Sequence, residues 1–95
     1  LAMETRSLLL GEAATPEAVG RITTALAGAD GVERVIHLKT LHLGPNEVLV
    51  AAKIAVEPTT SAQRVAEVID AAEVAIRTAE PQVTALYLEP DIDRT

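Results

Sequence analysis

The chain has 95 residues, 48% of them hydrophobic, and a formal net charge of −6, and it contains no cysteine, tryptophan or phenylalanine. An acidic chain whose only aromatic residue is Tyr87 lacks the basic surface and stacking platforms of nucleic-acid-binding proteins. Without cysteine, disulfides and thiolate metal sites are excluded, and the length predicts one domain around a single aliphatic core.

The first predicted element is a helix from about Pro16 to Ala27. Thr15 is a suitable N-cap, Pro16 suits the first helical position, and Glu17 interacts favourably with the helix dipole. Apolar residues then recur at helical spacing until glycines at positions 28 and 31 close the segment.

Two β-strands are predicted next, over 32–43 and 47–57, and a turn at 44–46 separates them. In the second strand the even positions form a core face and the odd positions form the opposite face. The even positions are Val48, Val50, Ala52, Ile54 and Val56. In the first strand Ile36 and Leu38 fit the core face if the hairpin loop has an odd residue count or a bulge.

A second helix is predicted from about Thr60 to Ala79. Its start matches a capping box, in which Thr60 is followed three residues later by Gln63. An apolar stripe at helical spacing continues until Pro81, which ends the pattern.

The last predicted element is a strand over 82–89, and Pro90 is expected to end it. Leu86 and Leu88 alternate onto one side of this strand. The other side is predicted to carry Val83, Ala85, Tyr87 and Glu89.

The order α-β-β-α-β predicts an α+β fold, a ferredoxin-like two-layer sandwich that lacks its first strand. A strand-helix-strand connection places the third strand parallel to the second, which becomes central in a three-stranded mixed sheet. Both helices then cover one face, and apolar surface on the uncovered face predicts a homodimer. The residues that supply this surface are Leu49, Ala51, Ala55, Ala85 and Tyr87.

Four stretches of the chain carry a family resemblance through their order and spacing. They are Leu8-Leu9-Leu10-Gly11-Glu12, Gly31-Val32, Thr40 with Gly44, and Tyr87-x-Glu89-Pro90. Together they resemble the C-terminal cytosolic domain of cation diffusion facilitator (cation efflux) transporters, over nearly the whole chain. The resemblance implies a membrane part that exchanges a divalent transition metal such as zinc for protons. It also implies a cytosolic domain that dimerises and often binds metal to tighten the dimer.

The resemblance implies three segments. Residues 1–14 would be a connector from an upstream membrane helix, 15–90 the cytosolic domain, and 91–95 an acidic C-terminal tail. The partners would be a second copy and the membrane domain of the same chain, on the cytoplasmic side of the cell membrane. We expect no membrane insertion by the segment itself, because its apolar runs are shorter than the roughly 18–20 residues that span a bilayer.

Many family members have His-x-Asp/Glu-Pro at the end of the last strand and a further histidine on the central strand. In this chain Tyr87 stands at the first of these positions, and Lys53 stands at the central-strand position, or Ala52 if the register slips. Because an ammonium repels a metal ion, we predict an altered site in which Lys53 supplies positive charge beside Glu89. The alternative is an exposed Lys53 and an exposed Glu89 that merely share a face.

The two histidines, His37 and His42, differ in parity and should point to opposite faces of the sheet. His37 would lie on the uncovered face near Lys53, as a weak zinc ligand together with Glu89 or as a solvated or interface histidine. His42 should bond to backbone or water at the hairpin rim. Alternating acids at the C-terminus either hold a hard cation loosely or are solvated. They are Glu89, Asp91 and Asp93.

The sequence lacks the residue sets of an enzyme: it has no cysteine nucleophile, no glycine-rich phosphate loop and no Ser-His-acid set that this fold would assemble. Two alternatives to a transporter domain stay open. One is a free-standing ferredoxin-like sensor of a small molecule or metal, and the other is a plain homo-oligomerisation module. A sensor needs a pocket with convergent polar groups, whereas an alanine-rich face favours flat packing.

Overall fold

The computed structural model describes residues 11–95, so the first ten residues of the predicted connector, including Leu8 to Leu10, lie outside it. The elements are α1 (Pro16–Ala27), β1 (Arg34–Gly44), β2 (Glu47–Ala55), α2 (Ala62–Ala79) and β3 (Val83–Asp91). This order confirms the predicted α-β-β-α-β arrangement and the α+β class. Neither described helix is both long and apolar enough to cross a membrane.

The three strands form one sheet in the order β1-β2-β3, with β2 antiparallel to β1 and parallel to β3. The predicted mixed sheet with a central β2 is therefore confirmed. One face of the sheet packs against both helices around an aliphatic core. The side chains with no solvent exposure in this core include Ile22, Leu26, Val50, Ile54 and Ile76.

Both helices begin at a side-chain cap. Thr15 Oγ1 accepts a hydrogen bond from the Ala18 amide at 3.2 Å, which confirms the predicted start of α1. The cap of α2 is Ser61, whose Oγ accepts from the Arg64 amide at 3.1 Å, so the prediction of Thr60 was wrong by one residue. The Thr60 hydroxyl instead donates to the Glu57 carbonyl in the preceding turn.

A bulge in β1 changes which of its residues reach the core. Val35 pairs with Ile54 and His37 pairs with Lys53, so the register shifts across Ile36. Val35 and Leu38 consequently pack against the core. The prediction was right for Leu38 and wrong for Ile36, whose place is taken by Val35.

The strand β3 differs from its predicted form at both ends. A register shift near its start places Val83 in the core, only 3% exposed, instead of on the opposite face. Pro90 does not end the strand, because β3 is an edge strand and the N–H that proline lacks would point outward, away from β2. The next carbonyl, that of Asp91, still accepts from the Val56 amide at 2.8 Å.

Residues just before α1 pack along the outer edge of β1. The Gly11 amide donates to the His42 carbonyl at 3.2 Å, and the His42 amide donates to the Glu12 carbonyl at 2.7 Å. The Ala14 amide donates to Thr40 Oγ1 at 2.9 Å, and Ala14 is buried. This segment therefore shields part of the β1 edge from solvent.

Candidate functional site

The sheet face opposite the helices carries four rows of three residues, one from each strand. In the order β1, β2, β3, the rows are Leu41, Leu49, Ala85; Lys39, Ala51, Tyr87; His37, Lys53, Glu89; and Arg34, Ala55, Asp91. We call the surface of the first three rows the open face. It is apolar at one end and charged at the other.

The open face contains a concavity of about 400 Å³, lined by the second and third rows together with Ala52. Tyr87 is 66% exposed there, so its ring is available to a partner. Ala55, which was predicted to add apolar surface, is fully buried in the fourth row between Arg34 and Asp91. The apolar part of the open face is therefore concentrated around Leu41, Leu49 and Tyr87.

Lys53 lies between two carboxylates of the neighbouring strand. Its Nζ is 3.6 Å from Glu89 Oε2 and 3.5 Å from Asp91 Oδ2. The two acids point to the same side because they are two residues apart on β3. The ammonium thus lies between two negative charges and offsets one of them, while Asp91 is also paired with Arg94. An exposed ion pair of this kind contributes only about 0–1 kcal/mol to stability, so its effect is on local charge.

Asp91 is held in its ionised form. A hydrogen bond from Arg94 Nη1 at 2.7 Å, and one from the Ile92 amide at 2.8 Å, lower the pKa of Asp91 to about 2. The positive charges of Arg94 and Lys53 contribute further. Asp91 therefore remains an anion at neutral pH, and Lys53 has a permanent partner.

The rest of the C-terminal tail is also paired within the chain. Arg34 binds Asp93 through two hydrogen bonds, Nε to Oδ2 at 3.0 Å and Nη2 to Oδ1 at 3.3 Å. Hydrogen bonds from Thr95 and Arg34 lower the pKa of Asp93. Glu89, Asp91 and Asp93, which were expected either to hold a hard cation loosely or to be solvated, are thus next to cations of the protein.

The two histidines lie on opposite faces of the sheet, as predicted from their parity. His42 pairs with Val48 on the helix side, and its Nδ1 donates to the Gly44 carbonyl at 3.0 Å, which confirms a backbone-bonded histidine at the hairpin rim. His37 lies on the open face beside Lys53. His37 and Glu89 therefore share a row, with Lys53 between them.

The donor set of the open face does not fit a structural zinc site, which needs about four nitrogen, sulfur or oxygen ligands in tetrahedral array. Within residues 11–95 no three His, Cys, Asp or Glu side chains are grouped so that they could hold a metal. His37 and Glu89 are two candidate donors, and the cation Lys53 separates them.

Sequence reasoning brought Lys53, Tyr87 and Glu89 together correctly but missed two neighbours. Asp91 is the second partner of Lys53, and it was overlooked because Pro90 was expected to end the strand. Lys39 lies in the same row as Tyr87 and lines the same concavity. Lys39 is two residues from His37 in the same strand, so the alternation of side chains could have placed it on the open face.

A separate polar cluster joins the helices away from the open face. Glu80, only 4% exposed, accepts at Oε1 from Arg21 Nε at 2.9 Å and Nη2 at 2.6 Å. Its Oε2 accepts from Gln82 Nε2 at 3.0 Å. The hydrogen bonds from Gln82 and Arg21 lower the pKa of Glu80. Every oxygen of this buried carboxylate is bonded, which is typical of a structural ion pair.

Comparison with known proteins gives one family and a group of similar structures. Residues 14–90 match the family model described as the cytoplasmic domain of cation efflux proteins. No curated protein sequence matches the chain.

The similar solved structures include several forms of the MamM C-terminal domain. A doubly substituted form is 24% identical with a TM-score of 0.76, covering 83% of this chain and 94% of its own. A nickel form is 21% identical with a TM-score of 0.78, at 84% and 100% coverage. A cadmium form is 22% identical with a TM-score of 0.77, at 83% and 98% coverage. These similarities confirm the predicted ferredoxin-like fold.

Proposed function

The chain belongs to the cation efflux family, as a cytoplasmic domain of that family, and from this premise we propose that it dimerises and regulates a divalent metal efflux transporter. Metal and proton exchange would be carried out by a membrane domain of the same protein. The domain would lie on the cytoplasmic side of the cell membrane, next to that membrane domain, and would have no catalytic role of its own.

The partner in dimerisation is a second copy that covers the open face. Both helices pack on the other face, so no helix covers the row of Leu41, Leu49 and Ala85. The exposed ring of Tyr87 adds to this surface. Apolar side chains grouped on one face favour a protein partner, and a self-complementary interface is the commonest solution.

The metal site of this domain is altered, and the observation that carries this proposal is the position of Lys53 between Glu89 and Asp91. The ammonium supplies the positive charge that a bound ion would bring, and it repels a divalent cation at the same place. His37 and Glu89 alone would bind zinc or a similar ion weakly, because two ligands leave most of the coordination shell to water. The dimer would therefore form without metal.

Calorimetric titration of the domain with zinc tests the altered site. We expect little heat and no saturation at micromolar concentrations. One tightly bound zinc per chain, lost in the Glu89→Ala variant, would indicate an ordinary metal-sensing role and would refute the proposal. The Asp70→Ala variant is a matched control, because Asp70 is an exposed carboxylate on α2, away from the open face.

A further inference from the structure

We propose that the concavity of the open face binds a small organic phosphate, a molecule that carries a phosphate monoester on an aromatic body. The phosphate would lie beside Lys39 and His37 on β1, and the body would lie on the ring of Tyr87 on β3. The inference goes beyond the proposed function, because it gives the domain a soluble ligand of opposite charge to a metal ion. It concerns a single chain and does not depend on dimerisation.

Lys39 is the cation that lacks a carboxylate partner in the described part of the chain. Every other arginine or lysine in residues 11–95 lies within 4.0 Å of a carboxylate oxygen. These paired cations are Arg21, Arg34, Lys53, Arg64, Arg77 and Arg94. An unpaired ammonium on the wall of a concavity has its charge and its N–H donors available to an anionic ligand.

The charged side chains that line the concavity are unevenly placed. Lys39 and His37 are two residues apart on β1 and point to the same side of the sheet. The carboxylate of the lining, Glu89, lies two strands away, so roughly 10 Å separates its backbone from that of β1. Glu89 is also offset by Lys53, with 3.6 Å between Oε2 and Nζ. The β1 side of the concavity is therefore the side that attracts an anion.

A phosphate monoester matches the donors on the β1 side. The Lys39 ammonium has three N–H donors, and the imidazole of His37 donates from at least one nitrogen in either tautomer. A phosphate monoester has a charge of about −1.5 to −2 at neutral pH and three acceptor oxygens, so it can bind both side chains at once. Lysine is a common phosphate ligand for this reason. A divalent cation at the same place would be repelled.

The rest of the lining fits an organic body rather than an inorganic ion alone. The volume of about 400 Å³ lies within the range of small-molecule sites, roughly 300–1,000 Å³. Ala51 and Ala52 supply apolar lining, and Tyr87 lies in the same row as Lys39 with a ring that is 66% exposed. An aromatic group can stack on this ring while the phosphate stays beside Lys39.

Phenyl phosphate is the probe that tests the site, because it carries both groups, and inorganic phosphate and phenol are its two halves. In amide NMR titrations, phenyl phosphate should cause saturable shifts concentrated at residues 37–39, 51–53 and 87–89. It should bind at least about fivefold more tightly than either half alone. Shifts that spread over the surface without saturation would overturn the site. Phenyl phosphate that binds no more tightly than inorganic phosphate would overturn the role given to the aromatic body.

Variants at two positions separate the two contacts. Lys39→Met removes the ammonium and should weaken the binding of phenyl phosphate by at least about tenfold, whereas Lys39→Arg should keep most of it. Tyr87→Ala should weaken phenyl phosphate but leave inorganic phosphate within about twofold. Arg77→Met is the matched control, because it removes a cation from α2 and should change binding by less than about twofold. Thermal melting checks that each variant folds, and equal binding by Lys39→Met and the wild type would overturn the site.

Sedimentation equilibrium on the same samples separates this site from the proposed dimer. The titrations are run at protein concentrations above and below the Kd for dimerisation, so that contact between two copies cannot block the concavity in both. Binding by a chain that stays monomeric would support the site and contradict the proposed dimerisation. A chain that dimerises but binds no phenyl phosphate at either concentration would overturn the site and leave the dimer standing.

Discussion

Lys53 and Glu89 stand opposite each other on the parallel strands β2 and β3, with 3.6 Å between the lysine Nζ and the glutamate Oε2. The family resemblance places metal ligands in this region, whereas this chain has a cation of its own there. A protein ammonium cannot be removed by a chelator. We therefore propose that the charge balance of the open face does not depend on a bound metal.

Replacing Lys53 and Tyr87 by histidine should create a zinc site. Lys53 pairs with His37 on one side and Glu89 on the other, and Tyr87 shares their face, so the two new imidazoles would join two existing donors. Zinc at about 100 times its Kd would stabilise the folded double variant by about 2.7 kcal/mol. Thermal melting with and without zinc measures this gain. A Lys53→Gln, Tyr87→Phe chain is the control, and an equal gain in the unmodified domain would contradict the account.

Replacing each of two glycines by alanine should change the free energy of unfolding in opposite directions. Gly31 has φ +89°, and a Cβ there would lie 2.4 Å from Val68 Cγ2, so Gly31→Ala should cost about 1–3 kcal/mol. Gly20 lies within α1, and a Cβ added there would meet no atom within 4 Å beyond its own helix backbone, so Gly20→Ala should add about 0.5–1 kcal/mol. Urea denaturation measures both changes in the free energy of unfolding. A Gly31→Ala variant as stable as the wild type would show that the turn before β1 adapts.

The free energy of unfolding should depend on pH in the acid range because of the ion pair between Arg21 and Glu80. The pKa of Glu80 is lowered in the folded chain, so the stability that Glu80 adds is complete above its unfolded value of 4.5 and is lost as the pH falls through the folded value. Glu80→Gln should therefore cost about 1–3 kcal/mol at pH 7 and progressively less in acid. Urea denaturation at pH 7 and pH 3 measures this difference. The control Asp70→Asn changes an exposed carboxylate and should cost little at either pH, and a penalty for Glu80→Gln that is the same at both would exclude this role.

The segment before α1 should contribute to stability through its contacts with β1. A chain that begins at Gly11 keeps two backbone hydrogen bonds with His42 and the burial of Ala14, whereas a chain that begins at Thr15 loses them. We expect the shorter chain to be less stable by about 1–3 kcal/mol, measured by urea denaturation. Equal stability of the two chains would mean that this edge pairing adds nothing in solution.

The helix limits were largely predictable from the sequence, because caps and helix-ending residues act locally. Thr15 and Pro16 define the start of α1 without reference to the rest of the fold. At α2 two adjacent hydroxyl residues compete for the cap, and the turn contact that occupies Thr60 depends on the chain before it. That error could not be avoided from a local pattern.

The strand faces were less predictable, because a period of two assumes strands without bulges. Bulges at the ends of β1 and β3 moved Ile36 off the core face and Val83 onto it. The row of His37, Lys53 and Glu89 was nevertheless anticipated, since it lies in the regular middle of the sheet. The double role of Lys53 was missed, because it depends on β3 continuing through Pro90 to Asp91.

Sedimentation equilibrium of the unmodified domain, in EDTA and again with excess zinc, tests the central claim most directly. We predict a dimer in both solutions, with the same Kd, because Lys53 already places a positive charge beside Glu89 and Asp91. A domain that is monomeric in EDTA and dimerises only with zinc would contradict this account.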